Sequence, residues 1–402
     1  MPGSPSFQDA IRFAQDLIRT PSLPGNEGAV GERVMVEMEA LGYDEVSRDS
    51  LGNVIGILKG TAGAPPVLLN CHMDIVAAGD PADWEYPPFE GVIADGFLHG
   101  RGAMDIKGPL AIQTHAAAEL RGTNRGDVIV AHTVFEERGG WGMEYLLETS
   151  GLRPGAVIIG ESTHGDVTIG HRGRAEVEVV IHGLAGHASV PERARNALHL
   201  LPAVIQALED LGRHQQDDPI LGRASLVPTM VDVLPQSRNV IPDQVVVTGD
   251  WRILPGDDDD SLLRRVREAL DRHLPGVLPD GFSVEVRMAR EVQTSFMGPT
   301  EQRALLTPGF LMDEQHPVVR AAARAVGRKS DPGIPALVRP WAFATDGGWS
   351  SGVFGIPTIG FAPGEERHAH TNTERLELEE ARWAYDRYPE LIRAIQAALE
   401  EG

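Results

Sequence analysis

The sequence predicts an α/β protein built on a largely parallel sheet, with a smaller ferredoxin-like α+β module inserted into it. Three observations carry this. Apolar strand-like runs alternate with amphipathic helical stretches from residue 6 to about residue 160. Near residue 173 the order changes to β-α-β-β-α-β. After about residue 312 the first pattern returns.

Apolar positions in 6–20 and 27–41 recur at helical spacing, and Gly42 is a natural stop for the second helix. Strand-like runs follow at 53–58 and 67–71. The spacing then predicts a helix over 107–121, an apolar strand over 128–133, a helix over 142–149 and a strand over 156–160. Next, Ala175, Val177, Val179 and Ile181 alternate with Glu176 and Glu178, the period of a half-buried strand. A helix fits 195–211, two strands fit 224–233 and 244–253, and a helix fits 259–274, where the run Asp257 to Asp260 suits a helix N-terminus. A strand over 282–288 closes the module. A helix over 317–328, strands over 336–339 and 358–361, and a long helix over 376–399 complete the chain. The simplest partition is a discontinuous main domain, 1–172 and 291–402, with residues 173–290 inserted.

Of 402 residues, 58 are acidic and 36 basic, a formal net charge of −22. This excludes nucleic acid as a partner, because its phosphates need a basic surface. No apolar stretch approaches a membrane span, so no membrane partner is expected. The N-terminus lacks the basic-then-apolar pattern of a signal peptide. Cys71 is the one cysteine, so no internal disulfide can form. Together these points predict the cytoplasm.

Chemistry-bearing residues gather at the ends of the predicted strands. His72 and Asp74, in Cys71-His72-Met73-Asp74, lie two apart and so face the same way. A metal-binding histidine commonly has its other ring nitrogen held by a carboxylate; Asp74 can supply one, or can orient another group. Asp105, in Gly100-Arg101-Gly102-Ala103-Met104-Asp105-Ile106-Lys107-Gly108, sits just before a helix. A helix N-cap explains it sufficiently, while its two oxygens also suit it to bridge two cations. Glu136 and Glu137 follow the 128–133 strand in a glycine-rich turn. A solvated loop competes there with a division of labour in which Glu137 binds a metal and Glu136 takes a proton from water. Glu161 again ends a strand. Before the last helix His368 or His370 offers a further imidazole, and 371–374 has the form of a helix-start capping pattern. In open α/β sheets ligands lie beyond the carboxyl ends of strands, where His72, Glu137 and Glu161 fall. Two His, two Glu and one Asp are a donor set for zinc, cobalt or manganese. Paired ions of this kind serve aminopeptidases and related hydrolases.

With NCHMD, GRGAMDIKG, FEERGG and GES in this order, PSLPGNEG near residue 21 and AHTNTE at 369–374, the chain resembles a known family. It is the di-zinc amidohydrolase and metallopeptidase family of acetylornithine deacetylase, succinyl-diaminopimelate desuccinylase, aminoacylase and glutamate carboxypeptidase. The resemblance covers nearly the whole chain and looks closest to the acetylornithine-deacetylase-like hydrolases. It implies a metal-dependent hydrolase that cleaves the linear amide bond of an N-acyl amino acid, a small molecule bearing a carboxylate, by a two-metal bridging-water mechanism. A dipeptidase or carboxypeptidase with the same metal site is the alternative.

The resemblance also implies roles. Two divalent ions are expected, zinc first and cobalt or manganese as alternatives. One would be held by His72, Asp105 and Glu161, the other by Asp105, Glu137 and His370. Asp74 would support His72, Glu136 would be the general base, and the peptide bond after Asp105 would be cis. The main domain becomes the catalytic domain and the inserted module the lid and dimerisation domain of a homodimer. His187, in Gly186-His187-Ala188-Ser189, would enter the neighbouring subunit's site and stabilise the oxyanion. Asn239 and Arg252 match lid positions that contact substrate; for Arg252 a strand-end salt bridge is the competing reading. Gly347, in Ala344-Thr345-Asp346-Gly347-Gly348, matches the glycine-rich substrate loop. Glu161 stands where some relatives carry Asp, a difference of one methylene.

Overall fold

The computed structural model describes residues 5–401. The chain divides into two compact units, one of residues 1–171, 293–301 and 310–402, the other of residues 172–292 and 302–309. The chain thus returns to the first unit at Gln293, two residues past the expected boundary. Residues 302–309, expected in the main domain, belong to the inserted unit because Leu306–Thr307 pairs with the strand Gly173–His182.

The first unit is organised by an eight-stranded sheet. Its order is Glu45–Arg48, Val54–Leu58, Gly126–Thr133, Ala64–His72, Ala156–Ile159, Thr358–Gly360, Val167–Thr168, Val338–Arg339. The central four, from Gly126–Thr133 to Thr358–Gly360, run parallel. Gly126–Thr133 and Ala64–His72 are buried along nearly their whole length, as parallel strands covered on both faces must be. The register sets His72 against Thr133 and Asn70 against Ile159. The segments that leave these strands at their carboxyl ends therefore start side by side.

The helix Lys107–Ala118 is buried on every side, packed by Phe7–Ile18 and Leu378–Glu401. Gly42 ends Gly28–Leu41 in the left-handed conformation, the expected stop. The last helix begins at Leu378 rather than 376, because Arg375–Glu377 is a strand against Phe97–His99, an element the apolar pattern did not announce. Among the described residues no helix is long and apolar enough to cross a membrane.

In the second unit the antiparallel order is Ser225–Leu234, Gln244–Ile253, Gly173–His182, Ser283–Met288, a ferredoxin-like sheet. Helices Leu201–Arg213 and Asp259–His273 pack on it: Val204, Leu208, Leu262, Val266 and Leu270 share a core with Val177, Val179, Val247 and Trp251. The first of these helices starts at Leu201, not 195, because Pro202 lacks an N–H and fits only a first turn. Asp258 and Ser261 form a reciprocal cap for the second. Ser225–Leu234 lies at the sheet edge with Val227, Met230, Val231 and Leu234 in solvent.

Candidate metal centre

His72 is the last residue of its strand and is almost wholly buried. Its Nδ1 lies 2.9 Å from the backbone carbonyl of Asp74. A carbonyl only accepts, so Nδ1 carries a proton, and Nε2 points the other way. Nε2 faces Glu161 Oε1 at 3.2 Å, Asp105 Oδ1 at 3.3 Å and Glu136 Oε2 at 4.0 Å. A second imidazole approaches the same aspartate: His370 Nε2 is 3.3 Å from Asp105 Oδ2 and 3.0 Å from Glu137 Oε1. The five expected residues therefore converge as two triads, His72, Asp105, Glu161 and Asp105, Glu137, His370, whose donor atoms lie within 4.8 Å of one another. Of the two histidines the sequence left open, His370 is the one in the cluster; His368 ends a 3-10 turn outside it. The Asp105–Ile106 bond is cis.

Asp74 and Glu374 stand behind the cluster. Asp74 holds His72 through its backbone carbonyl, while its carboxylate stands 3.5 Å from the ring nitrogen. That carboxylate accepts instead from the N–H groups of Glu136, at 3.2 Å, and Glu137, at 3.0 Å. It thus fixes the turn that carries both glutamates. Glu374 is not part of a helix cap, since the helix begins four residues later. It is buried, its Oε1 accepts from the N–H groups of Met104 and Asp105 at 3.1 Å each, and it ion-pairs with Arg101. Lys107, also buried, donates to the carbonyls of Leu17 and Thr20 at 2.9 and 2.6 Å. Its ammonium is pushed down to about 7 by burial. Nothing in sequence spacing announced Glu374. Its signals are its place at the end of the AHTNTE motif and a charge complement, an arginine in the glycine motif far upstream.

Charge explains what the cluster suits. Burial, followed by the charge of Asp105, pushes Glu161 up to about 7. Burial raises Glu136 well above the usual carboxylate range; His72 opposes this, and the charges of Glu161, Glu137 and Asp346 add to it. Burial also works to raise Asp105, but hydrogen bonds from His370 and His72 outweigh it and hold that carboxyl low. His370 is driven up to about 10 by hydrogen bonds to Asp105 and Glu137. Four carboxylates thus crowd a buried space and lean on two imidazoles for positive charge. The donor set fits two divalent cations with Asp105 between them, because each Asp105 oxygen already faces a different histidine.

Gly347 lies in the first unit. A Cβ there would strike the Phe310 ring, so glycine is needed. Its N–H donates to Thr345 Oγ1 at 3.0 Å. Buried His171, missed from sequence, takes the N–H of Thr345 on Nε2 at 3.0 Å and so holds this loop. Asp346 is anchored by Thr133 Oγ1 at 2.8 Å. The other candidates lie in the second unit. His187 sits opposite Val240, and the N–H of Ala188 donates to the carbonyl of Asn239 at 3.1 Å, so His187 and Asn239 are neighbours. Arg252 donates through Nε to Asp250 at 3.0 Å, and Asp250 also takes Arg174, the salt bridge anticipated as the competing reading.

A family model described as peptidase family M20/M25/M40 matches residues 68–400. The protein YgeY of Escherichia coli (strain K12) is 32% identical over 372 residues, 91% of this chain and 89% of that protein. Succinyl-diaminopimelate desuccinylase of Paracoccus denitrificans is 30% identical over 328 residues, 78% of this chain and 82% of that enzyme. Among solved structures, the YXEP protein of Bacillus subtilis, described as a dinuclear metal-binding peptidase, superposes with a TM-score of 0.69 at 17% identity, over 98% of this chain and 99% of that one.

Two outcomes are expected. Replacing Glu374 by Ala frees the amides that aim Asp105, and should weaken metal affinity by about 10–100-fold, as losing a ligand's outer support typically does. Competition with a chelating dye measures this, and unchanged affinity would remove the assigned support role. Hydrogen bonds to Asp105 and Glu137 drive the His370 imidazole up to about 10, so a cation taken up there would displace a proton. Metal affinity should therefore climb with pH across the neutral range. Binding heats should depend on the buffer's ionisation enthalpy; buffer-independent heats would contradict this.

Proposed function

The chain belongs to peptidase family M20/M25/M40 and is a metal-dependent amide hydrolase, and on that footing we propose that it removes the acyl group from an N-acyl amino acid. The carrying observation is Glu136. It reaches to 4.0 Å from His72 Nε2 yet belongs to neither donor triad, which leaves its carboxylate for proton transfer. The desuccinylase relative favours an acyl-amino-acid substrate over a dipeptide; a dipeptidase or carboxypeptidase would use the same centre.

Two divalent cations, zinc first and cobalt or manganese as alternatives, would be held by His72, Asp105, Glu161 and by Asp105, Glu137, His370, and would acidify water and polarise the amide carbonyl. The chain's own residues do the rest. Glu136 takes the proton of the attacking water on its carboxylate and returns it to the leaving amine nitrogen. Asp74 keeps Glu136 and Glu137 in one geometry through their amides. Gly347 lets the substrate loop pass close, and Asn239 and Arg252 are the further residues we assign to substrate contact, Arg252 for a carboxylate in competition with Asp250.

We assign His187 to the oxyanion of a second copy's substrate. Its Nδ1 accepts the N–H of Ser189 at 3.1 Å, so its proton sits on Nε2, the atom free to donate. Homodimerisation is supported by the edge strand Ser225–Leu234 and its exposed Val227, Met230, Val231 and Leu234, an unpaired apolar edge of the kind proteins normally cover. A groove of about 690 Å³ runs between this strand and the helix Leu201–Arg213. The single cysteine favours the cytoplasm, which cell fractionation tests.

Glu136→Gln should keep both metals by elemental analysis and lose about 10²–10⁴-fold in kcat, the usual worth of a positioned base. Activity is to be sought on a panel of N-acyl amino acids and dipeptides with added zinc, cobalt or manganese. Retained turnover in that variant would remove the mechanism, and preference for dipeptides would move the substrate assignment. Met230→Glu with Val231→Glu should convert a dimer to monomers in sedimentation and lower activity. A wild-type protein that sediments as a monomer at full activity would sink the shared-site role of His187.

A further inference from the structure

We propose that Glu27 is a positioning residue for Glu136, holding from the segment 22–27 the backbone turn that aims the base. The proposal rests on Glu136 being the base. It concerns the PSLPGNEG stretch, to which the chemistry above gives no task.

The turn after Gly126–Thr133 is suspended by side chains. Four successive amides each donate to a side-chain oxygen from elsewhere in the first unit. Val134 donates to Asn53 Oδ1 at 3.0 Å, Phe135 to Glu27 Oε1 at 3.4 Å, Glu136 to Asp74 Oδ1 at 3.2 Å and Glu137 to Asp74 Oδ2 at 3.0 Å. Glu27 serves the residue that most needs holding. Phe135 has φ of 59°, the left-handed region that an aromatic residue enters only when its surroundings impose it. A small rotation there would swing the next residue, which is Glu136.

Glu27 is fully buried, and among the described residues its Oε2 has no hydrogen-bond partner. A buried, half-satisfied carboxyl is costly, and an apolar side chain would fill the space at less expense. Glu27 takes the backbone of Gly25 in its own segment and reaches across to supply an oxygen for Phe135. The same segment also brackets Asp74: Ser22 Oγ donates to the Met73 carbonyl at 2.7 Å, and the N–H of Ile75 donates to the Ser22 carbonyl at 2.9 Å. Gly25, at φ 84°, lies so close that a Cβ would meet the Thr294 carbonyl and come to 3.5 Å from the Phe135 ring. One short segment thus fixes both the carboxylate that holds Glu136 and Glu137 and the residue before them. Burial, with the charge of Asp74, raises the Glu27 carboxyl to about 8, so glutamine is its closest substitute in shape and charge.

The test compares Glu27→Ala, Glu27→Asp and Glu27→Gln with wild type and Glu136→Gln, each as the full chain. Ala removes the acceptor and Asp withdraws it by one methylene; Gln keeps it. The proposal expects kcat to fall about 100-fold in the Ala and Asp variants, the scale of an ångström of misplacement, with KM and metal content unchanged. The Gln variant should stay near wild type. In the metal-free proteins, amide hydrogen exchange across 134–138 should quicken in the Ala and Asp variants and not in the Gln variant. Wild-type kcat in the Ala variant, an equal loss in the Gln variant, or exchange unchanged at the turn would each overturn the proposal. If the Ala variant does not fold, the Asp and Gln pair carries the same comparison. A wild type inert towards the whole panel, or an active Glu136→Gln, would sink the functional reading, while the exchange contrast would still decide what Glu27 holds.

Discussion

Asp105 stands with one carboxylate oxygen toward each of two imidazoles, and the rest of the centre is arranged around keeping it there. A carboxylate between two histidines defines two separate positions for a cation, and Glu161 and Glu137 complete one each. Such crowding of like charge in a buried space is unfavourable without compensation. The protein accepts it by making the aspartate's backbone immobile. Glu374 takes two consecutive amides of that segment, Arg101 neutralises Glu374, and Lys107 ties the helix that follows to the end of Phe7–Ile18.

The same device recurs on the opposite wall. Glu136 and Glu137 sit on a turn that closes its own hydrogen bonds only behind them, from Arg138 and Gly140 to the Phe135 carbonyl and from Gly139 to that of Glu136, while Asn53, Glu27 and Asp74 lend oxygens to the amides that enter it. His171 and Thr133 do the corresponding work for the loop that contains Asp346 and Gly347. The parallel sheet brings three strand ends together, and side-chain-to-amide bonds then set what leaves them. This separates reactive groups, which must keep open valences, from holding groups, which must have theirs filled.

The parts of the site that were legible are those tied to local pattern. His72, Glu137 and Glu161 follow apolar strands whose length and flanking glycines are visible in one dimension. What escaped was of two kinds. Some elements lack a periodic signal: Phe97–His99 and Arg375–Glu377 are three residues each, and Leu306–Thr307 is two. Other misses were holding residues, whose partners are remote in sequence. Glu374 lies 269 residues from the amide of Asp105, and Glu27 lies 108 from that of Phe135. The helix Leu201–Arg213 starts later than its apolar spacing implies, because Pro202 has no N–H to donate and fits only a first turn.

The sequence by itself determined the two-unit plan, the ferredoxin-like order of the insertion and the kinds of atom offered to the centre. Those depend on period, chain order and side-chain chemistry, which are local properties. Only the tertiary structure decided that His370 rather than His368 enters the cluster, that Asp74 grips amides more closely than the imidazole, and that Glu374 stands behind Asp105. Each is a choice among chemically similar groups a few residues apart. Distance in space makes that choice, and it exists only once sheet register and helix packing have placed remote segments side by side.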